Sequence, residues 1–213
     1  MPEELEKSPQ QPQEEQQISE TPEEQKVPFF TALLISLAEF VKVFVIAAAI
    51  ILPIRLFLIQ PFYVKGESME PNFHEAEYLI IDKLTPNFVP YKRGEVIVFR
   101  YPRTERRYLI KRVIGLPGEK IEIRNRRITI YNEEYPKGLL LDEKTYGPRP
   151  LRNETDEVVL SDRQYYVLGD NRPVSLDSER FGPVDQDQLV GRVVFRGLPI
   201  DRISTFKAPT YNN

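Results

Sequence analysis

Residues 95–131 read EVIVFRYPRTERRYLIKRVIGLPGEKIEIRNRRITIY. Three runs within this stretch, Glu95–Tyr101, Tyr108–Gly115 and Lys120–Tyr131, are rich in β-branched and aromatic residues and are bounded by Pro, Gly or charge, which predicts strands. The last run has two period-2 halves around Asn125–Arg126 and so predicts a hairpin, because asparagine tolerates the backbone of a tight turn. Working outward, Glu77–Lys83 (EYLIIDK) precedes these runs, and Glu157–Leu160, Gln164–Leu168 and Leu189–Phe195 follow as further short strands. Leu139–Thr155, with Pro148 and Pro150, is expected to be an irregular surface excursion. The stretch 61–204 is thus predicted to be an all-β, mostly antiparallel domain, with a small inserted β excursion at about 120–160 and a short tail over 205–213.

Ahead of this domain the character changes abruptly. Residues 29–60 read FFTALLISLAEFVKVFVIAAAIILPIRLFLIQ, apolar except for Glu39, Lys42 and Arg55. That exceeds the roughly 20 residues needed to cross a bilayer, so the stretch is expected to be a membrane anchor. Glu39 and Lys42 fall three apart and can face each other on a helix. Residues 1–28 hold eight Glu and two Lys with almost no large apolar side chain. Such a segment cannot bury enough surface to offset its ordering entropy and is expected to be a disordered acidic tail.

The 213 residues carry 29 Lys plus Arg against 32 Asp plus Glu. The absence of cysteine excludes a disulfide scaffold, a thiol protease, a zinc–thiolate site and an iron–sulfur cluster. One histidine, His74, leaves no His-rich metal site and one imidazole base. No metal or cofactor is expected, and the charge distribution does not call for nucleic acid.

A hydroxyl nucleophile in this chain needs His74, a carboxylate or a lysine as its base. His74 lies in a turn-like stretch, PNFHEAE, where a solvated loop histidine is the simpler reading. Lys111 sits in YLIKRVIG, where strand alternation gives it one face with Leu109 and Val113. A lysine desolvated there would have a lowered pKa and could be neutral at working pH, although an edge-strand lysine that guards against aggregation fits the same pattern. Ser68, in VKGESMEP, reads equally as a turn serine after the anchor. Gly169–Val184 (GDNRPVSLDSERFGPV) is a loop rich in small polar residues, with Asp170 and Asn171 suited to Asx-type turns.

Together and in this order, these clusters resemble type I signal peptidases. The matching residues are Ser68-Met69-x-Pro71, Arg93-Gly94-Glu95-Val96-Ile97-Val98-Phe99, Lys111-Arg112-Val113-Ile114-Gly115-Leu116-Pro117-Gly118-Glu119, and Gly169-Asp170-Asn171-Arg172 with Ser175-x-Asp177-Ser178. Ile54-Arg55-Leu56-Phe57 and Pro61-Phe62 at the end of the anchor also look like the family. The resemblance implies a membrane-anchored serine endopeptidase that removes signal peptides from exported preproteins after small-x-small sites, through an acyl-enzyme. Ser68 then matches the nucleophile and Lys111 the general base. Ser175 matches a serine that hydrogen-bonds and orients the lysine, and Asp177 matches the support for that serine. By the same match, Phe62, Val64, Met69, Leu109 and Ile110 line small apolar substrate pockets.

The implied partners are signal peptides and the lipid bilayer. The implied topology is a single pass, with residues from about Phe62 onward on the extracytoplasmic side of the cell membrane or of an internal membrane such as a thylakoid. Two departures from the family pattern matter most, beside Pro173 and Val174, which replace residues that are commonly polar. Gly66 stands where some members carry a hydroxyl, and Glu179, followed by Arg180, stands where an arginine usually pairs with the aspartate. The second departure predicts a locally altered loop with the dyad retained. Two alternatives are a self-cleaving serine/lysine protease of the kind fused to stress-response repressors, and a catalytically inactive, membrane-tethered β module that binds polypeptides.

Overall fold

The computed structural model describes residues 28–53, 59–104, 106–144, 146–148, 155–209 and 211. The expected acidic tail therefore lies, but for Pro28, outside the described residues.

The first element is a helix, α1, Phe29–Pro53. Its stretch Leu33–Leu52 has a mean hydropathy of 2.4 and buries no side chain, so it is long and apolar enough to cross a membrane. The first strand, β1 (Ile59–Tyr63), begins inside the stretch assigned to the anchor. A short apolar run reads alike as helix or strand, so periodicity does not place that boundary.

The remainder is antiparallel β structure. The strands are β2 (Tyr78–Asp82), β3 (Val96–Arg100), β4 (Tyr108–Gly115), β5 (Lys120–Arg124), β6 (Arg127–Tyr131), β7 (Leu139–Leu140), β8 (Thr155–Val159), β9 (Gln164–Leu168), β10 (Val184–Asp185), β11 (Leu189–Leu198) and β12 (Ser204–Thr205). A four-residue helix, α2 (Ser178–Phe181), lies between β9 and β10. The larger sheet has the order β1-β2-β11-β3-β4-β9-β10, with β12 added beside β11, and the smaller has the order β7-β6-β5-β8.

β3 is buried along Val96–Phe99 because the large sheet is covered on both faces. Val96 and Val98 join Phe73, Leu79 and Ile81 on one side, whereas Ile97 and Phe99 join Val113, Tyr165 and Val167 on the other. A third cluster, with Ile121, Ile123, Ile128 and Ile130, covers the small sheet and takes Ile114, Tyr166 and Leu168 from the large one. The hairpin β5–β6 closes through Asn125 (φ 52°) and Arg126 (φ 61°), with Arg124 opposite Arg127, the backbone of a two-residue turn with both central residues left-handed.

Where the sheets meet, Arg93 forks onto Glu119 at 2.6 and 2.8 Å and also donates to Ile114 O. Glu119 accepts further bonds from Leu116 N–H and Asn132 Nδ2. The residues of two separate sequence clusters thus form one buried clamp.

Two expectations need correction. Residues 145 and 149–154 of the excursion Leu139–Thr155 lie outside the described residues; of the rest, Leu141 and Tyr146 are buried, and Glu143 pairs with the buried Arg172 at 2.5 Å. Prolines mark irregular backbone, and irregular backbone can still deliver large side chains to a core. Of the expected tail 205–213, residues 210, 212 and 213 lie outside the described residues; Phe206 and Tyr211 pack down, with the Phe206 ring 4.6 Å from that of Phe73 and Tyr211 in the small-sheet cluster.

Gly115 is fixed by this close approach, because a Cβ there would lie 2.3 Å from Ile121 Cδ1 and 2.8 Å from Leu160 Cδ1. Gly115→Ala is expected to lower unfolding free energy by about 1–3 kcal/mol through overpacking, read from urea unfolding in detergent.

Candidate active site

β4 supplies Lys111, and its neighbours explain why a lysine can be held there. On one side β4 pairs with β3, placing Lys111 opposite Ile97. On the other it pairs with β9 only from Arg112 onward, where Arg112 faces Leu168. β9 therefore ends beside Lys111, and the loop that follows, Gly169–Ser175, wraps the place where the lysine emerges.

That loop is held by buried charge. Asp170 accepts from Arg112 Nε at 2.8 Å and Nη2 at 2.6 Å, while Arg112 Nη1 donates to Gly94 O. The Ser68 turn is then tied to the loop at several points. Asn171 N–H donates to Ser68 O and Asn171 Nδ2 donates to Glu67 O, both at 3.0 Å. Asn72 Nδ2 donates to Asp170 Oδ2 at 2.9 Å. Asp170 and Asn171, read from sequence as Asx-turn residues, instead reach across the chain to Arg112 and to the Ser68 turn. Gly169 permits this approach, because a Cβ on it would stand 2.3 Å from Ser175 Oγ and 2.5 Å from Ser68 O.

The result brings Lys111 Nζ to 2.6 Å from Ser68 Oγ, and Nζ also donates to Ile110 O at 2.7 Å. Lys111 is 1% exposed. Burial pulls its pKa down from 10.5 to about 8, with Arg107 acting in the same direction and Asp177 and Asp170 opposing. Ser175 is buried, its hydroxyl has no partner among the described residues, and both hydrogen bonds of Lys111 go elsewhere. Asp177 is buried and accepts from Gly169 N–H at 2.9 Å and from Glu179 N–H at 3.3 Å, capping α2. Its carboxylate is therefore held by backbone amides, and no arginine pairs with it among the described residues. Arg180 is exposed.

Ser68 and Lys111 sit in a cleft of about 740 Å³. One wall is β1 and the chain leading from it to Ser68. β1 has β2 as its strand partner and leaves its other edge open. The facing wall is Tyr108–Lys111, the part of β4 that β9 does not reach. Phe62, Val64, Leu109 and Ile110 line the cleft, as do Leu79 and Val98, which the sequence reading missed although their strand alternation points them inward. Met69 does not line it: the turn directs Met69 into the core with Phe73 and Leu79, where it is 1% exposed. His74 lies outside the cleft, with Nδ1 3.5 Å from Glu70 Oε1. Among the described residues no cluster of three or more His, Asp or Glu could hold a metal ion.

Residues 37–198 match the family model described as signal peptidase, peptidase S26. The chain belongs to the signal peptidase family. It is 32% identical over 175 residues to signal peptidase IB of Staphylococcus aureus (strain Mu50), covering 76% of this chain and 90% of that one. It is 31% identical over 173 residues to signal peptidase I P of Bacillus subtilis subsp. natto, covering 79% and 92%. The crystal structure of a signal peptidase I from Enterococcus faecalis V583 aligns over 49% of this chain and 97% of that chain, at 30% identity and a TM-score of 0.35.

Burial leaves Lys111 with a folded pKa below its unfolded value. Unfolding therefore takes up a proton between about pH 8 and 10.5, so the lysine's burial destabilises the fold in full below about pH 8 and not at all above 10.5. The shift corresponds to about 3 kcal/mol. Lys111→Met keeps the aliphatic bulk and removes the cost, so it is expected to raise unfolding free energy at pH 7. The gain should shrink toward zero as pH rises to 10, as read from urea unfolding at both pH values.

Proposed function

We propose that this protein removes N-terminal signal peptides from exported preproteins, with Ser68 as nucleophile and neutral Lys111 as general base. The observation that carries this reading is a fully buried lysine amine 2.6 Å from a serine hydroxyl, inside a cleft between two open strand edges. A neutral amine has two N–H groups and one lone pair. One N–H is taken by Ile110 O, and the lone pair can accept the Ser68 proton as Oγ attacks the scissile carbonyl. The ammonium so formed donates to the leaving amine, and the same group then activates water for deacylation.

The Ser68 backbone N–H has no acceptor among the described residues and is the donor assigned to the oxyanion. The Gly66 N–H already donates to Glu75 Oε1 at 3.3 Å. Asp177 is assigned the role of fixing the loop from Gly169, and Ser175, a buried hydroxyl without a partner, that of a supporting group for the lysine. The substrate would add as an extended strand between β1 and the first half of β4. Phe62, Val64, Leu109 and Ile110 would restrict its pockets to small side chains. In this reading α1 tethers the domain to the membrane where the cleavage site is presented, raising its effective concentration, with the β domain on the extracytoplasmic side.

Detergent-solubilised protein should cleave a preprotein with an Ala-x-Ala site, and Ser68→Ala and Lys111→Met should each lower the rate by at least a factor of about 1,000. Persistent activity in folded Lys111→Met would overturn the lysine-base mechanism, and no cleavage by the unaltered chain would favour a polypeptide binder. Because the base is active when neutral, kcat/KM should fall about tenfold per pH unit below the pKa of Lys111 and level off above it. That pKa is about 8, so a bell centred near pH 6 would point to a different base.

A further inference from the structure

The charged side chains lining the cleft are ordered along it. Glu67 immediately precedes Ser68, and Glu75 reaches the same end by accepting the Gly66 N–H. Lys65 lies beside them on the β1 wall. Arg107 stands on the facing wall, immediately before β4 and four residues before Lys111, which is about 13 Å of extended chain. It is exposed, and its guanidinium has no carboxylate partner among the described residues. Its field reaches the dyad, since it is one of the groups that lower the Lys111 pKa.

A peptide whose scissile carbonyl meets Ser68, and which extends between the two walls, advances by about 3.3 Å per residue. It would therefore bring the residue four or five positions before the scissile bond beside Arg107. The same spacing keeps that residue away from Glu67 and Glu75. We infer that Arg107 is a specificity-determining residue that selects a carboxylate-bearing side chain, and disfavours a basic one, four or five positions before the scissile bond. The inference rests on the proposed peptidase reading for the register of the bound peptide. Because Arg107 is exposed, its pairing with a carboxylate is screened by solvent and salt and pays no desolvation cost of full burial, so discrimination of a few-fold is expected.

The test uses the full-length Ser68→Ala chain in neutral detergent and fluorescent peptides that end their signal region in Ala-x-Ala. The peptides differ only in carrying Asp, Ser or Lys at the fourth or fifth position before the scissile bond. Fluorescence anisotropy should give Kd in the order Asp tightest and Lys weakest, with about fivefold between the extremes at low salt and less at high salt. Adding Arg107→Gln should flatten the order, and adding Arg107→Glu should invert it, which a general loss of folding cannot do. An order that is absent, or that survives unchanged in Arg107→Gln, overturns the inference, as does failure of all the peptides to bind. The same peptides offered to the chain with Ser68 intact read the parent proposal separately. The charge order without any cleavage would overturn peptidase activity and leave selection by Arg107 standing as a property of the cleft.

Discussion

The buried pair between Arg112 and Asp170 is the interaction on which the site depends. Arg112 sits in the middle of β4, and Asp170 begins the loop that follows β9, so the pair fixes loop to sheet next to Lys111. Arg112 is further held by Gly94 O and by the Tyr146 ring, 4.1 Å from its guanidinium carbon. Asp170 is further held by Asn72, which belongs to the Ser68 turn. Removing either partner would leave an uncompensated charge where water cannot reach it, a loss of several kcal/mol. The pair is worth less as net stability than as geometry: it ties the strand bearing Lys111 and the turn bearing Ser68 to one carboxylate.

The same pair bears on acid–base chemistry. A lysine stays near neutrality only if burial outweighs the acids around it, and two carboxylates, Asp177 and Asp170, push the Lys111 pKa upward. Each is already engaged. Asp170 is forked by Arg112, and Asp177 accepts two backbone amides. Neither forms an ion pair with Lys111, so desolvation prevails. The backbone-capped Asp177 also shows how the loop does without an arginine at position 179. α2 starts directly after Asp177, and the Glu179 N–H serves where a guanidinium would otherwise donate.

How much of this was legible in the sequence differs from residue to residue for physical reasons. The strands Val96–Arg100, Tyr108–Gly115 and the 120–131 hairpin follow from local pattern, because side-chain alternation and Asn125 act over a few residues. An amphipathic repeat does not say what lies beyond either face, so Lys111 could be placed on an apolar face while its role still required the four clusters read together. The links between those clusters were not legible. Asp170 to Arg112, Asn171 to Glu67 and Arg172 to Glu143 span 58, 104 and 29 residues. Each is long-range pairing that the local preferences of its two residues do not reveal. Met69, assigned to a pocket by motif match, points instead into the core, because a matched motif does not say which way a turn directs a side chain.

The two walls of the cleft amount to a sheet left unfinished at one position. Open edges are ordinarily a hazard, because unpaired N–H and C=O groups recruit other chains. Here both edges line the cleft, and the Phe62 and Tyr108 rings, one from each wall, make an edge-on contact with centroids 5.6 Å apart. A strand inserted there would gain main-chain hydrogen bonds on both sides without regard to its side chains. Selectivity would then come from alternation alone. In an extended chain the residues one and three positions before the scissile bond point to the same wall, and the residue between them points away. An apolar wall built from Val64, Leu79, Val98 and Ile110 would thus restrict two alternate positions and leave the middle one free. On the proposed reading, a small-x-small pattern would need no separate recognition device for each position.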